Sequence, residues 1–464
     1  MSVIIVWLAL TILSFQNSVN GGITNIMSRG GITNVMSHGA KGDGVTDDAQ
    51  AFQSAWEVVC KGGGTLLIPE VEESFLLNPT TFSGPCKART VTVKVEGNVD
   101  APTSKKGWTD ENCRRWITIK EVNNLVIEGY GSFNGHGEKW WNMEKGHDLE
   151  AKDGEDDSDL EKQIKKEHKK KKHYGDNDDD DDEKGHITCG GRGQVPTNLA
   201  FFGCNHLRIN YITSLHSPKN HFSISQCNDV EISNIKIKAP YNSPNTDGID
   251  ISHTVGVIIK DSHIATGDDC VELNTRSSDV NITNVDCGPG HGISIGSFKR
   301  KGADVQNVYV RECNFTGTKN GARIKTFSQS VGGYVRSITF EQITLKSVKH
   351  PIIINQDYQA LATAGRGSDE QGGGGVKISD VKFIGFEGTC SSKDAIVLNC
   401  SSRGSGCTDI ELRNIKIRGE SGKESVRATC RNAHGYADST TPKVTCLIGD
   451  DDDDHHHFDQ LRNI

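Results

Sequence analysis

No stretch of the 464 residues reaches 18 consecutive apolar positions, so the chain offers no membrane-spanning helix. Aromatic residues make up 6%, and there are only four methionines. None of the 14 cysteines forms a clustered CxxC pair, which removes the usual zinc-binding spacing. Basic residues are outnumbered, and a net charge of −9 argues against general nucleic-acid binding. Leucine is sparse and the LxxLxL pattern is absent, which disfavours a leucine-rich horseshoe.

Glycine is abundant, with 51 copies, beside many β-branched residues and Asn-rich turns. That composition favours an all-β protein of short strands. The even number of cysteines suits an oxidising compartment, where most would pair. Residues 1–21 read as a secretory signal peptide, with an apolar stretch from Val3 to Phe15 and small or polar residues after it. The h-region is too short for an anchor, although the n-region lacks Lys and Arg. Secretion is therefore expected. Sequons at Asn281, Asn314 and Asn399 are glycosylation candidates, while Pro79 excludes Asn78.

Residues 22–37 are expected to form an N-terminal arm, because "GGITNIMSR" is followed at once by "GGITNVMSH". Next, Asp47 or Asp48 is placed to cap a helix carrying Ala51, Phe52, Ala55, Trp56 and Val59 at helical spacing. From Val91 onward a longer rhythm appears, in phrases such as "NNLVIEGYG", "NDVEISNIKI" and "TDIELRNIKI". Ile209, Ile232, Ile259 and Ile282 are 23, 27 and 23 residues apart. That period is one coil of a right-handed parallel β-helix, a solenoid whose coils bury their apolar faces only by stacking. The helix would cap its N-terminal end. A single solenoid domain is expected over residues 38–447.

Two stretches break the rhythm. Residues 144–187 carry a basic block, Lys169–Lys172, between acidic blocks that include Asp178–Asp182. Such blocks stay solvated, and the insert is expected to be disordered. Residues 448–464 form an Asp/His tail, read as solvated rather than metal-binding.

"ATGDDCVELN", residues 265–274, sets Asp268 beside Asp269 where a strand begins. On a regular strand these carboxylates would face opposite ways. A bend at Gly267 would put one in the turn and one on the strand. Asp247 lies 21 residues before Asp268, and His291 lies 22 after Asp269. Both separations are about one coil, so these side chains are expected to converge. Arg323 and Lys325, two apart and so on one strand face, follow a coil later. Three close carboxylates are expected to push one pKa upward, giving an acid beside ionised bases. Any one of these aspartates alone would read as a turn residue; their recurrence in coil register does not.

"SPNTDGIDI", "TGDDCVEL", "CGPGHGISIGS" and "GARIKTF", in this order, resemble the four motifs of the polygalacturonases, pectin-degrading glycoside hydrolases of family 28. "GAKGDGVTDDAQAF", the text around Trp140 and Trp141, and "HPIIINQDY" are similar to plant members. The likeness spans residues 38 to 447. Phe327 stands where Trp is frequent. The insert and the tail depart from the family.

The resemblance implies an inverting hydrolase of α-1,4-linked galacturonan, acting on cell-wall pectin outside the cell as a monomer, with no metal or organic cofactor. It implies Asp268 as general acid, and Asp247 and Asp269 as the pair that hold and activate water. His291 would tune the acid. Arg323 and Lys325 would bind a sugar carboxylate, with Asn245 and Tyr358 at sugar-contacting positions. Disulfides Cys270–Cys287 and Cys400–Cys407 are likewise implied. Exo rather than endo action, a non-catalytic pectin-binding protein, a calcium-dependent pectate lyase and a rhamnogalacturonan hydrolase are the competing readings.

Overall fold

The computed structural model describes residues 31–104, 107–109, 112–141, 195–298, 302–327, 330, 332–358, 375–402, 405–420 and 425–449. The signal peptide, the insert 144–187, residues 22–30 of the arm and residues 450–464 of the tail lie outside them.

Apolar residues alternating along short strands produce two stacks of parallel strands, one of nineteen and one of eleven among the described residues. Together they form a parallel β-helix. The isoleucine spacing read from the sequence is the coil ladder: Ile209 pairs with Ile232, Ile232 with Ile259, and Ile259 with Ile282. The same inward column continues through Val310, Phe340, Phe383 and Leu412. All these side chains are buried. The ladder closes across the insert, since Leu199 pairs with Ile117 and Ile209 with Ile127.

The long strands turn at corners in left-handed backbone. Asn234, Asp261 and Asn284 stack there with φ of 54°, 51° and 54°. Asn and Asp tolerate that region because their short polar side chains bond locally. Here Asn284 Nδ2 donates to Asp261 Oδ1 at 2.8 Å, so one coil's corner supports the next.

The helix Ala49–Gly62 covers the N-terminal end and buries Ala51, Phe52, Ala55, Trp56 and Val59. Trp56 packs on Phe82 at 5.3 Å and donates its indole N–H to Ser83 O at 3.1 Å. Capping is divided between the two aspartates. Asp48 holds the N-cap position, but its carboxylate turns to the Lys41 and Gly42 amides at 2.6 and 3.0 Å. Asp47 accepts from the Ala49 N–H at 3.1 Å. The second copy of the duplicated segment also does more than form an arm. Its strand Ile32–Asn34 pairs in parallel with Thr65–Leu67, so the solenoid begins inside residues 22–37.

Cys270–Cys287 and Cys400–Cys407 are bonded, as are Cys60–Cys86 and Cys430–Cys446. Cys113 is disulfide-bonded too. Cys204, Cys227, Cys313 and Cys390 are buried free thiols, so most of the described cysteines pair, as expected, but not all. The Cys270–Cys287 bridge closes 17 residues and starts next to Asp269. Replacing both cysteines by Ser is expected to cost about 3 kcal/mol of stability, read as a lower urea midpoint than wild type.

Candidate active site

The outer face of the eleven-stranded sheet carries the charged cluster. Its residues come from four successive strands, Ile249–Ser252, Val271–Leu273, Ile293–Phe298 and Asn320–Phe327, and from the turns that lead into the first three. Register places Asp250, Glu272, Ser294 and Arg323 in one outward row. The paired aspartates sit just ahead of this row, at the mouth of Val271–Leu273.

The bend at Gly267 resolves the Asp268–Asp269 pair. A Cβ on Gly267 would lie 2.0 Å from Ser243 O, so only glycine lets the chain pass there. Its amide donates to Thr246 Oγ1 at 3.0 Å. Asp268 then sits in the bend and Asp269 leads into the strand. Asp268 Oδ1 is 2.7 Å from His291 Nδ1, and both side chains are partly open to solvent. The His291 amide donates to Asp268 O at 2.7 Å, and Asn320 Nδ2 donates to His291 O at 3.1 Å. Backbone as well as side chain therefore fixes the imidazole against the acid.

Asp269 is fully buried. Its Oδ1 accepts from Ser294 Oγ at 2.7 Å and from the Arg323 guanidinium at 2.5 Å. Its Oδ2 accepts from Lys325 Nζ at 3.0 Å. Burial works against its charge, but Arg323, Lys325 and the Ser294 hydroxyl outweigh that and hold the carboxyl below the usual carboxylate range. Asp247 meets the opposite conditions. Its only described side-chain hydrogen bond accepts the Asp269 N–H at 3.0 Å. Burial, then the charges of Asp268, Glu272, Asp269 and Asp250, push its carboxyl well above the ordinary value.

Of Asp247, Asp268 and Asp269 the raised carboxyl is thus Asp247, and Asp250 beside them is pushed up as well, to about 7, by burial and the Glu272 charge. A group with a raised folded-state pKa stabilises the protein below its unfolded value and loses that contribution as pH rises through the folded value. Asp247→Asn keeps the acceptor oxygen and removes the charge. It is expected to raise the melting temperature at pH 8 by roughly 3 °C or more, and to change it little at pH 4, as measured by calorimetry.

The structure brings Asp247, Asp268, Asp269, His291, Arg323 and Lys325 together. Arg323 and Lys325 had been expected to face a sugar carboxylate. Both are buried, and both point at Asp269. Tyr358 is beside them, its ring centre 5.7 Å from Lys325 Nζ and 5.5 Å from the Phe327 ring. Asn245 lies on the exposed rim with φ of 51°, two residues before Asp247. The sequons lie elsewhere on the sheets. Asn281 is exposed and accepts from Thr283 Oγ1 at 2.9 Å. Asn314 donates to Asp286 at 2.7 Å, and Asn399 to Asn355 at 3.1 Å.

Glu272, Ser294, Asp250 and Asn274 are part of the cluster but were not singled out from the sequence. The signal was present: each is the polar partner in an apolar alternation on the same face. Asp268, Asp269 and His291 offer ligand atoms within 4.8 Å of one another, a spacing a metal ion could use. However, Asp269 already accepts from a hydroxyl and two buried cations, and a divalent ion there would meet both positive charges. The donor set suits proton transfer better than metal binding.

The glycosyl hydrolases family 28 profile matches residues 61–168 and 175–445. The chain belongs to glycosyl hydrolase family 28. A probable polygalacturonase of Arabidopsis thaliana is 41% identical over 88% of this chain and 79% of the relative. A polygalacturonase of Persea americana is 36% identical over 85% and 75%. An exopolygalacturonase of Arabidopsis thaliana is 36% identical over 85% and 83%. Among solved structures, an endo-xylogalacturonan hydrolase from Aspergillus tubingensis overlays with a TM-score of 0.65 at 23% identity, covering 90% of this chain and 98% of that one. These structural matches show the β-helix fold. The family 28 match carries the motif residues, since residues 245–325 fall within the matched span.

Proposed function

We propose that this family 28 protein is an extracellular glycosidase that cleaves α-1,4-galacturonosidic bonds of polygalacturonan in cell-wall pectin. The observation that carries the reading is the division of labour among three neighbouring carboxyls. Asp269 is held ionised by Arg323 and Lys325, Asp247 carries a raised pKa, and Asp268 is the exposed one, paired with His291. Inverting hydrolysis uses a carboxylic acid that protonates the leaving oxygen and a carboxylate that activates water on the other face of the sugar. Asp268 is the acid, because it is the most exposed of the three, with 21% of its side chain open to solvent. Asp247 and Asp269 hold the water. His291 returns the proton to Asp268 between turnovers. Arg323 and Lys325 keep Asp269 charged and present the positive edge of the site to the uronate; Tyr358 and Asn245 border the sugar.

The test is product analysis on a defined oligogalacturonate. The expected result is saturated products whose new reducing ends carry inverted configuration by proton NMR. Ultraviolet-absorbing unsaturated products abolished by chelator would mean a lyase, and no products from pure protein would mean a binding protein.

A further inference from the structure

The outer face of the nineteen-stranded sheet carries a second groove, of about 620 Å³, that none of these roles uses. It runs along a corner of the solenoid. Ser132, Thr213, Lys236, His263 and Asp286 stand in one outward row. Two residues earlier in each coil, Tyr130, Tyr211, Asn234, Asp261 and Asn284 form the corner column. Rungs ~4.8 Å apart make that column roughly 20 Å long. The groove shares coils with the catalytic residues but not their face. His263 lies on Val255–Ala265, the strand that ends before the bend carrying Asp268.

The tyrosines break the rule of their column. Asn234, Asp261 and Asn284 suit left-handed backbone. Tyr211 adopts the same conformation, with φ of 62°, where a bulky side chain is disfavoured. Its ring gains no burial in return, since Tyr211 is 47% exposed and Tyr130 83%. The two rings nonetheless meet, with centres 5.6 Å apart and planes inclined by 45°. A strained corner that holds two wet rings together marks a contact surface. The rest of the lining selects the charge of what lies there. Lys236 stands against Asp261 and Asp286, with His263 between them. Lys238 is outside the lining, and Lys260 is paired with Glu231 at 2.7 Å. Asn284 and Asn314 hold the Oδ1 atoms of Asp261 and Asp286 at 2.8 and 2.7 Å, and no described hydrogen bond ends on either Oδ2. With more carboxylate than ammonium, the groove disfavours a polyuronate and offers acceptors to sugar hydroxyls.

We propose that this groove is a non-catalytic binding site for a neutral polysaccharide of the β-1,4-glucan class. Equatorial linkages and hydroxyls leave both faces of each glucose ring to axial C–H bonds, which stack on Tyr130 and Tyr211. The hydroxyls at the ring edges donate to Asp261 and Asp286. The protein is thereby held on one polysaccharide while its catalytic face stays open to another. This binding does not rest on the hydrolase reading.

Isothermal titration with cellohexaose and co-sedimentation with microcrystalline cellulose test it. Wild type is expected to bind both. Tyr130→Ala combined with Tyr211→Asn is expected to weaken cellohexaose binding about tenfold or more. Asparagine suits the backbone at 211, so the melting temperature is expected to hold. Tyr130→Phe with Tyr211→Phe keeps both rings and is expected to bind within about twofold of wild type. If the Ala/Asn variant does not fold, Tyr130→Ala alone, at the more exposed ring, decides. A wild type that ignores cellohexaose, or a folded Ala/Asn variant that binds it equally well, overturns the proposal. So does a loss confined to polygalacturonate binding, which would mean a charged ligand. Displacement of cellohexaose by digalacturonate would place the glucan in the catalytic groove and overturn it as well. Glucan binding by a protein that cuts no galacturonan would sink the hydrolase reading alone.

Discussion

Replacing Asp268 with Asn is expected to lower kcat on polygalacturonate by about 10³-fold or more, while substrate binding measured by calorimetry stays within about threefold. The side chain keeps its size and can still bond to His291, but it has no proton to give. Asp268 is also the most solvent-accessible of the three aspartates, so its loss disturbs little packing. If binding and turnover fell together, Asp268 would be holding the bend at Gly267 rather than donating a proton. Among single substitutions this one has the largest expected effect on rate.

The largest expected effect on stability belongs to Asp269→Ala. The variant leaves Arg323 and Lys325 buried without their shared carboxylate. Breaking a buried pair from one side costs about 3–5 kcal/mol, because the remaining charge keeps its desolvation penalty. Urea unfolding at pH 7 measures it. The pH dependence has a definite sign. A carboxyl with a lowered folded-state pKa stabilises above its unfolded value, and the contribution is lost as pH falls through the folded value. The gap between wild type and D269A is therefore expected to shrink in acid. A gap that stayed constant from pH 7 to pH 3 would contradict an ionised Asp269.

The coil ladder was legible because its cause is local. Each coil repeats the same inward apolar positions, so Ile209, Ile232, Ile259 and Ile282 mark the period before any fold is known. The helix face was legible for the same reason. Its cap was legible as Asp47 or Asp48, but the turn of the Asp48 carboxylate to the Lys41 and Gly42 amides was not, because that contact runs through a loop whose path the pattern does not encode. Two disulfides were expected from family likeness, but Cys60–Cys86 and Cys430–Cys446 were not, since spacing alone leaves many pairings open.

The sequence by itself determined a stacked β-coil whose period gathers Asp247, Asp268, Asp269 and His291 on one face. Only the tertiary structure decided how the charges pair. Arg323 and Lys325 stand 54 and 56 residues from Asp269, and Glu272 lies on a neighbouring strand. Which carboxylate those cations meet depends on side-chain reach across several rungs, and on which group is buried deeply enough to need a partner. Periodicity sets the rung and the face of a residue, whereas desolvation and distance set its partner and its charge.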